Sequence, residues 1–156
     1  LSTARPGEGD AVEFYTYTKD LRESTINVVG KDGTSEKTYS YTDYGETTEQ
    51  GENDFYNEVC YGGGIYDKTT GLYYLNARYY SPENGSFLTQ DTYRGSRSKT
   101  ETLNLYGYCA GNPISYTDPS GHCLFARRAV GDSLGKTDSN TAKLCGVSAA
   151  SVGFGV

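Results

Sequence analysis

The most informative stretch of the sequence is residues 71–80, Gly-Leu-Tyr-Tyr-Leu-Asn-Ala-Arg-Tyr-Tyr. Tyrosine favours β-strands, and successive side chains of a strand point to opposite faces of its sheet. On one strand, Tyr73 and Tyr79 share one face, and Tyr74 and Tyr80 share the other. Because both faces are then aromatic, the stretch predicts one long strand that is central or covered on both sides.

Short turns lie on both sides of this stretch. Residues 66–71 end in Gly, residues 81–85 contain Asn-Gly, and residues 30–33 contain Asp-Gly. Asp-Gly and Asn-Gly supply the positive φ that tight hairpins need. Further strands are predicted where Thr, Tyr, Val or Phe recur, at 14–18, 25–29, 37–42, 86–89 and 114–117. The sequence therefore predicts an all-β ribbon of antiparallel hairpins.

Three segments depart from this strand pattern. Residues 46–57 are polar and acidic, which predicts an exposed loop. Short helical turns are predicted near 103–108 and 124–130, where brief apolar runs lack strand alternation.

The composition restricts the kind of core. Leu, Ile, Val and Phe together number 26, about 17% of the 156 residues, whereas Tyr alone numbers 16. Tyrosine buries its ring while its hydroxyl finds a partner, so the core is expected to be aromatic and a leucine-packed helical bundle is excluded. No apolar run approaches the roughly 20 residues of a membrane helix, and no signal peptide is recognisable. Without an initial Met, the chain is expected to be a piece of a longer protein.

Charge and tyrosine content change together along the chain. The net charge is −6, with −8 over residues 1–121 and +2 over residues 122–156. All tyrosines lie between Tyr15 and Tyr116. This predicts a flexible lead-in over 1–12, a main domain over 13–121 and a separate segment over 122–156. The acidic main domain argues against nucleic acid as a partner.

The sequence contains no metal-binding signature. There is one histidine, and the four cysteines form no Cys-x-x-Cys pair. We therefore expect no metal and no cofactor, and we expect the thiols to be free or buried. The cysteines are Cys60, Cys109, Cys123 and Cys145.

Residues 66–121 closely resemble the C-terminal end of the RHS repeat-associated core of RHS, or YD-repeat, proteins. The matching motifs are Tyr66-Asp67, Gly71–Tyr80, Phe87–Asp91, Asn104–Tyr106, Asn112-Pro113 and Asp118-Pro119-Ser120-Gly121. A less regular repeat at 39–45 extends the resemblance to about residues 13–122.

The resemblance implies a structural role. In such proteins a ribbon of strands spirals into a hollow β-shell that encloses a variable, toxin-like C-terminal segment. The present chain would be the closing end of a shell, with residues 122–156 as the start of that segment. Its expected partners are the rest of the shell, its own C-terminal segment as cargo, and immunity or secretion partners. The protein is expected to be bacterial, and to be secreted or located at the cell surface. It is expected to bind no nucleic acid and to contain no membrane span.

The resemblance also implies one chemical step. Relatives cut themselves after the Asp-Pro-x-Gly motif with aspartates, which carry over to Asp91 and Asp118. The scissile bond is then expected at His122-Cys123. Two neighbouring carboxylates cannot both ionise cheaply, so one retains a proton as acid while the other acts as base toward water. The chain would be at most a single-turnover aspartate-type autoprotease.

Alternatives remain open from the residues themselves. An Asp before Pro and Gly caps its own turn, so Asp118 has a structural interpretation as well. At Ser86, Thr92 and His122 the sequence differs from the usual Arg, Pro and Leu of the family. Arg78 is expected to pair with a buried carboxylate or to stack on a tyrosine. The alternative function is a non-catalytic adhesion or glycan-binding module at the cell surface.

Overall fold

The computed structural model describes residues 2–6, 12–51, 55–95, 97, 100–122 and 125–126. These ranges contain eleven strands and three 3-10 turns. The strands are β1 Ser2–Pro6, β2 Val12–Lys19, β3 Thr25–Val29, β4 Ser35–Tyr41, β5 Thr47–Gly51, β6 Ile65–Asp67, β7 Leu72–Leu75, β8 Arg78–Ser81, β9 Ser86–Phe87, β10 Tyr116–Thr117 and β11 Phe125–Ala126. The 3-10 turns are Tyr61–Gly63, Thr100–Leu103 and Cys109–Gly111. The predicted all-β fold with antiparallel hairpins and few helical turns is confirmed.

The first sheet is an antiparallel meander of five strands in the order β1-β2-β3-β4-β5. The turn predicted between β3 and β4 is present, with Gly33 at φ +84° donating its N–H to the carbonyl of Gly30 at 3.0 Å. Residues 2–6, within the predicted lead-in, form β1 and pair with β2.

The prediction of an exposed loop over residues 46–57 is wrong in its first half. β5 pairs with β4 along its whole length, from Tyr41 opposite Thr47 to Lys37 opposite Gly51. The acidic residue Glu49 is accommodated because its carboxylate lies 2.9 Å from Nζ of Lys37 and 2.7 Å from Nζ of Lys68. Lys37 on the neighbouring strand and Lys68 in the β6–β7 turn therefore compensate the charge of Glu49.

The second sheet has the order β6-β7-β8-β9, and it corrects the interpretation of residues 71–80. The stretch is a hairpin and not one strand. Asn76 adopts φ +59°, and Ala77 donates its N–H to the carbonyl of Leu75 at 2.7 Å. Asparagine adopts this left-handed conformation more readily than most residues because its side chain is short and polar. The turn reverses the chain, so Tyr73 pairs with Tyr80 and Tyr74 pairs with Tyr79.

This register sorts the aromatic residues of the second sheet into two rows, one on each face. The inner row is half-buried to buried and consists of Tyr66, Tyr73, Tyr80 and Phe87. The outer row is exposed and consists of Ile65, Tyr74, Tyr79 and Leu88. One face of the sheet therefore belongs to the core, and the other presents apolar side chains.

The core is aromatic, as predicted. Tyr61 lies between the two sheets, with its ring centroid 5.7 Å from Tyr41 and 5.9 Å from Tyr73. Tyr108 packs on Tyr80 with ring centroids 4.3 Å apart. Burial raises the pKa of the phenols of Tyr73, Tyr80 and Tyr108, so these hydroxyl groups remain neutral.

The end of the described chain differs from its prediction. Where a helical turn is predicted near 124–130, Phe125–Ala126 is a strand, β11, antiparallel to Tyr116–Thr117. Strand pairing provides hydrogen-bond partners for backbone N–H and C=O groups that a single helical turn leaves without partners. A short apolar run in the sequence does not distinguish a strand from a helical turn. The remainder of 124–130 lies outside the described residues, as do Cys123 and Cys145. Cys60 and Cys109 are buried, and burial raises the pKa of the Cys60 thiol to about 12.

Candidate functional site

The candidate site is organised around Arg78, the first residue of β8. The Asn76-Ala77 turn directs its side chain inward, where the side chain is only 4% exposed. The guanidinium lies over the ring of Phe87, with its central carbon 3.6 Å from the ring centroid. Burial lowers the pKa of Arg78, and the charges of Asp91 and Asp118 oppose that effect. Arginine still stays protonated, so a buried cation is present and requires anionic partners.

Those partners are the two predicted aspartates. Nη2 of Arg78 lies 2.8 Å from Oδ2 of Asp91 and 3.8 Å from Oδ2 of Asp118. The side chains of Asp91 and Asp118 are 12% and 4% exposed. The structure therefore brings together two residues that are far apart in sequence, and it adds a cation that both share. The expected pairing of Arg78 with a buried carboxylate is confirmed, but its aromatic neighbour is Phe87 and not a tyrosine.

Asp91 is held in place by the backbone around it. Its N–H donates to the carbonyl of Leu105 at 2.9 Å, and its Oδ1 accepts the N–H of Tyr93 at 2.9 Å. The same Leu105 carbonyl accepts a hydrogen bond from Nη1 of Arg78 at 3.0 Å. The carboxylate and the guanidinium thus share a backbone anchor, which limits the freedom of both.

Asp118 begins the Asp-Pro-Ser-Gly turn and caps it. Its Oδ1 accepts hydrogen bonds from the Ser120 hydroxyl at 3.2 Å and from the His122 N–H at 3.1 Å. The turn interpretation of this aspartate is therefore confirmed. It does not conflict with the site, because the same carboxylate also faces Arg78.

The turn is docked on the β7–β8 hairpin. Nδ2 of Asn76 donates to the carbonyl of Pro119 at 2.7 Å, and Nε of Arg78 donates to the carbonyl of Gly121. Gly121 adopts φ +73°, and a Cβ there would lie 2.3 Å from the carbonyl oxygen of Leu75. Only glycine combines this conformation with so close an approach.

His122 bridges the two aspartates. Its Nδ1 lies 3.0 Å from Oδ1 of Asp91, while its backbone N–H is bonded to Asp118. Its side chain is 38% exposed. The peptide between Gly121 and His122 is therefore held at both ends, its carbonyl by Arg78 and its N–H by Asp118. Cys123, the other residue of the expected scissile bond, lies outside the described residues.

Two predicted motif residues do not join this cluster. Oδ1 of Asn112 accepts the N–H of Ser115 at 3.1 Å, and Pro113 is buried next to it. Both residues lie directly after the Cys109–Gly111 turn, where Asn112 donates its N–H to the carbonyl of Cys109 at 2.9 Å.

Sequence reasoning identified the aspartates but did not place Arg78 between them. The sequence signal for Arg78 is a single cation inside an aromatic run, because a charged side chain buried in a core needs partners of opposite charge. Within the described ranges, no three His, Cys, Asp or Glu side chains lie close enough together to hold a metal ion. Over the same ranges the structure contains no helix long and apolar enough to cross a bilayer.

Comparison with known proteins agrees with this architecture. The teneurin YD-shell family model matches residues 9–114. The chain belongs to the teneurin YD-shell family. It is similar to a crystal structure of TcdB2-TccC3-TEV with a TM-score of 0.64 and 30% identity, over 75% of this chain and 5% of that chain.

Toxin-related proteins are among its relatives. The chain is 37% identical over 128 residues to the tRNA3(Ser)-specific nuclease WapA of Bacillus spizizenii, a match that covers 75% of this chain and 6% of the relative. It is 41% identical over 66 residues to the toxin subunit YenC2 of Yersinia entomophaga, covering 42% of this chain and 6% of the relative. The chain thus spans about 6% of the length of each of these relatives.

Proposed function

We propose that this chain is the closing segment of a YD-repeat shell that encloses its own C-terminal segment and cuts the chain between His122 and Cys123. The observation that carries the proposal is that Arg78 and Asp118 hold the peptide between Gly121 and His122, while Asp91 is bonded to Arg78 and to the imidazole of His122. Burial of two aspartates and an arginine costs desolvation free energy. The turn itself needs only one aspartate as its cap.

The proposed step is a hydrolysis. One carboxylate takes a proton from water as the water oxygen bonds to the carbonyl carbon of His122. The C–N bond to Cys123 then breaks, and a carboxyl group in its protonated form delivers a proton to the departing nitrogen. The products are a new C-terminal carboxylate on His122 and a new amino group on Cys123. Each molecule performs this step once.

Arg78 has a supporting role in this proposal. By holding the carbonyl of Gly121 and both carboxylates, it fixes the acidic groups relative to the residue that precedes the scissile bond. Orientation of this kind supplies a large share of rate enhancement, because reacting groups need not search for each other.

Mass spectrometry of the parent protein, expressed with its shell and its C-terminal segment, tests the cleavage. We expect a break after residue 122 in the natural sequence and an intact chain in Asp118→Asn. Asp67→Asn is the matched control, since Asp67 also caps a turn of the second sheet, accepting the N–H of Thr69 at 2.9 Å. An intact natural chain, or equal cleavage in Asp118→Asn, contradicts the proposal.

Containment needs a separate measurement. The proposal places the C-terminal segment inside the shell, with the rest of the shell as partner and a secreted or cell-surface location. Limited proteolysis of the parent protein is expected to spare this segment until the shell is unfolded by denaturant. Digestion of the segment at the rate of the unfolded chain contradicts containment, whether or not the chain cleaves itself.

A further inference from the structure

His122 is the single histidine of the sequence, and it lies in the cleft of the candidate site. Its ring contacts Asp91 through Nδ1, and its backbone N–H is bonded to Asp118. His122 is thus bonded to one aspartate through its side chain and to the other through its backbone. The residue that precedes the expected scissile bond is therefore also part of the electrostatics of the site.

We propose that His122 is a positioning residue whose protonation slows the self-cleavage, so that the chain cuts itself faster near neutral pH than in mild acid. This inference rests on the function proposed above. It assigns a pH dependence to the same site, and this dependence comes from the side chain of the residue that precedes the scissile bond.

The charges of the cleft give the direction of the effect. The charged groups that face the imidazole are Asp91, Asp118 and Arg78, and Tyr93 is the further titratable side chain that lines the cleft. With one carboxyl group protonated as the acid and the imidazole neutral, one carboxylate faces one guanidinium, and the cluster is neutral. Protonation of His122 adds one positive charge to the cluster and leaves the Asp91 carboxylate between two cations, Arg78 at 2.8 Å and the imidazolium at 3.0 Å. Opposite charges this close make a carboxylate a weaker base toward water.

The geometry also allows the imidazole to respond to the solvent. The side chain of His122 is 38% exposed, whereas the aspartates and Arg78 are largely shielded. Histidine is the side chain whose charge ordinarily changes between pH 5 and 8, while carboxylates ordinarily titrate below that interval. Comparison with His122→Gln, which keeps both aspartates, separates the proposed effect from titration of the carboxyl groups.

The experiment follows the cleavage of the parent protein in time. The full chain is made in a brief cell-free synthesis pulse and diluted into buffers from pH 5.5 to 7.5. The cut fraction is then measured by gel and by intact mass. We expect the natural chain to be cut about fivefold faster or more at pH 7.5 than at pH 5.5. His122→Gln, which retains a hydrogen-bond donor but not the titration, is expected to vary less than about twofold over the same range. His122→Leu, which retains neither, is expected to show the same flat profile.

Each outcome has a distinct meaning. A natural chain with a flat profile, or with the same slope as His122→Gln and His122→Leu, overturns the inference while leaving the self-cleavage itself in place. Absence of cleavage in all three chains at every pH overturns the proposed function and this inference with it. A steep profile that only the natural chain shows supports both.

Discussion

Nε of Arg78 donates a hydrogen bond to the backbone carbonyl of Gly121, which joins the β7–β8 hairpin to the Asp-Pro-Ser-Gly turn 43 residues later. The same side chain reaches the carbonyl of Leu105 at 3.0 Å and the carboxylate of Asp91 at 2.8 Å. One guanidinium thus connects three segments that are distant in sequence. Its planar set of donors suits this task, whereas a single ammonium group serves fewer partners at once.

Arg78→Lys is expected to damage both stability and cleavage. Lysine retains the charge but cannot hold two carbonyls and two carboxylates together, so the free energy of unfolding falls by about 2 kcal/mol. Denaturant unfolding of the 156-residue chain measures this loss, and mass spectrometry of the parent protein measures the decrease in self-cleavage. Arg94→Lys, at an exposed position, is the control. Equal effects of the two substitutions would show that the cluster does not organise this region.

Gly121→Ala tests the docking of the turn on the hairpin. The substitution places a Cβ at φ +73° and 2.3 Å from the carbonyl oxygen of Leu75, so the turn must move. We expect a loss of about 3 kcal/mol in the free energy of unfolding, of which about 1 kcal/mol is the cost of the backbone conformation. Gly71→Ala isolates that smaller part, because Gly71 has φ +70° and open space around its Cβ position. Thermal unfolding of both variants provides the comparison, and equal losses would contradict the close approach seen at Gly121.

Some of this fold was predictable because local signals agreed with the pairing. β3 has the predicted bounds Thr25–Val29, since β-branched residues precede an Asp-Gly turn there. Residues 71–80 were misread because an asparagine in a left-handed turn leaves no mark in a tyrosine-rich run. This error affects the site, because only the hairpin turns Arg78 toward the core. The ion pairs of Arg78 with Asp91 and Asp118 therefore depend on tertiary structure and could not be predicted from the sequence.

The pairing of Glu49 with two lysines predicts a pH-dependent contribution to stability. Desolvation raises the pKa of Glu49, but hydrogen bonds from Lys68 and Lys37 outweigh this effect, and the pKa in the folded chain lies below its usual value. A carboxyl group whose pKa is lowered by folding contributes stability above its unfolded-state pKa. That contribution disappears as the pH falls through the lower folded-state pKa.

Glu49→Gln removes this contribution and also leaves the 3% exposed side chain of Lys37 without its carboxylate. We expect the variant to lose about 2 kcal/mol of stability near pH 7. The difference from the natural chain should shrink as the pH falls from about 5 toward about 3. Urea unfolding at a series of pH values measures it, and Glu46→Gln, at an exposed position before β5, is the control. A difference that stays constant across this range would contradict the ion-pair origin.

The outer row predicts how the chain behaves outside its shell. Ile65, Tyr74, Tyr79 and Leu88 form one continuous apolar band across β6, β7, β8 and the residue that follows β9, and Tyr79 is 54% exposed. Exposed apolar surface of this kind drives association, because its burial against another copy removes it from water. We therefore expect the 156-residue chain to self-associate as its concentration rises.

Tyr79→Thr interrupts this band at its centre while retaining a residue that favours strands. Sedimentation of the 156-residue chain should show weaker association for the variant, with the dissociation constant raised about tenfold, and a free energy of unfolding changed by less than about 1 kcal/mol. Tyr106→Thr is the matched control, because Tyr106 is also exposed, at 41%, but lies outside the row. Equal weakening by the two substitutions would show that tyrosine exposure in general, and not the aligned row on the second sheet, causes the association.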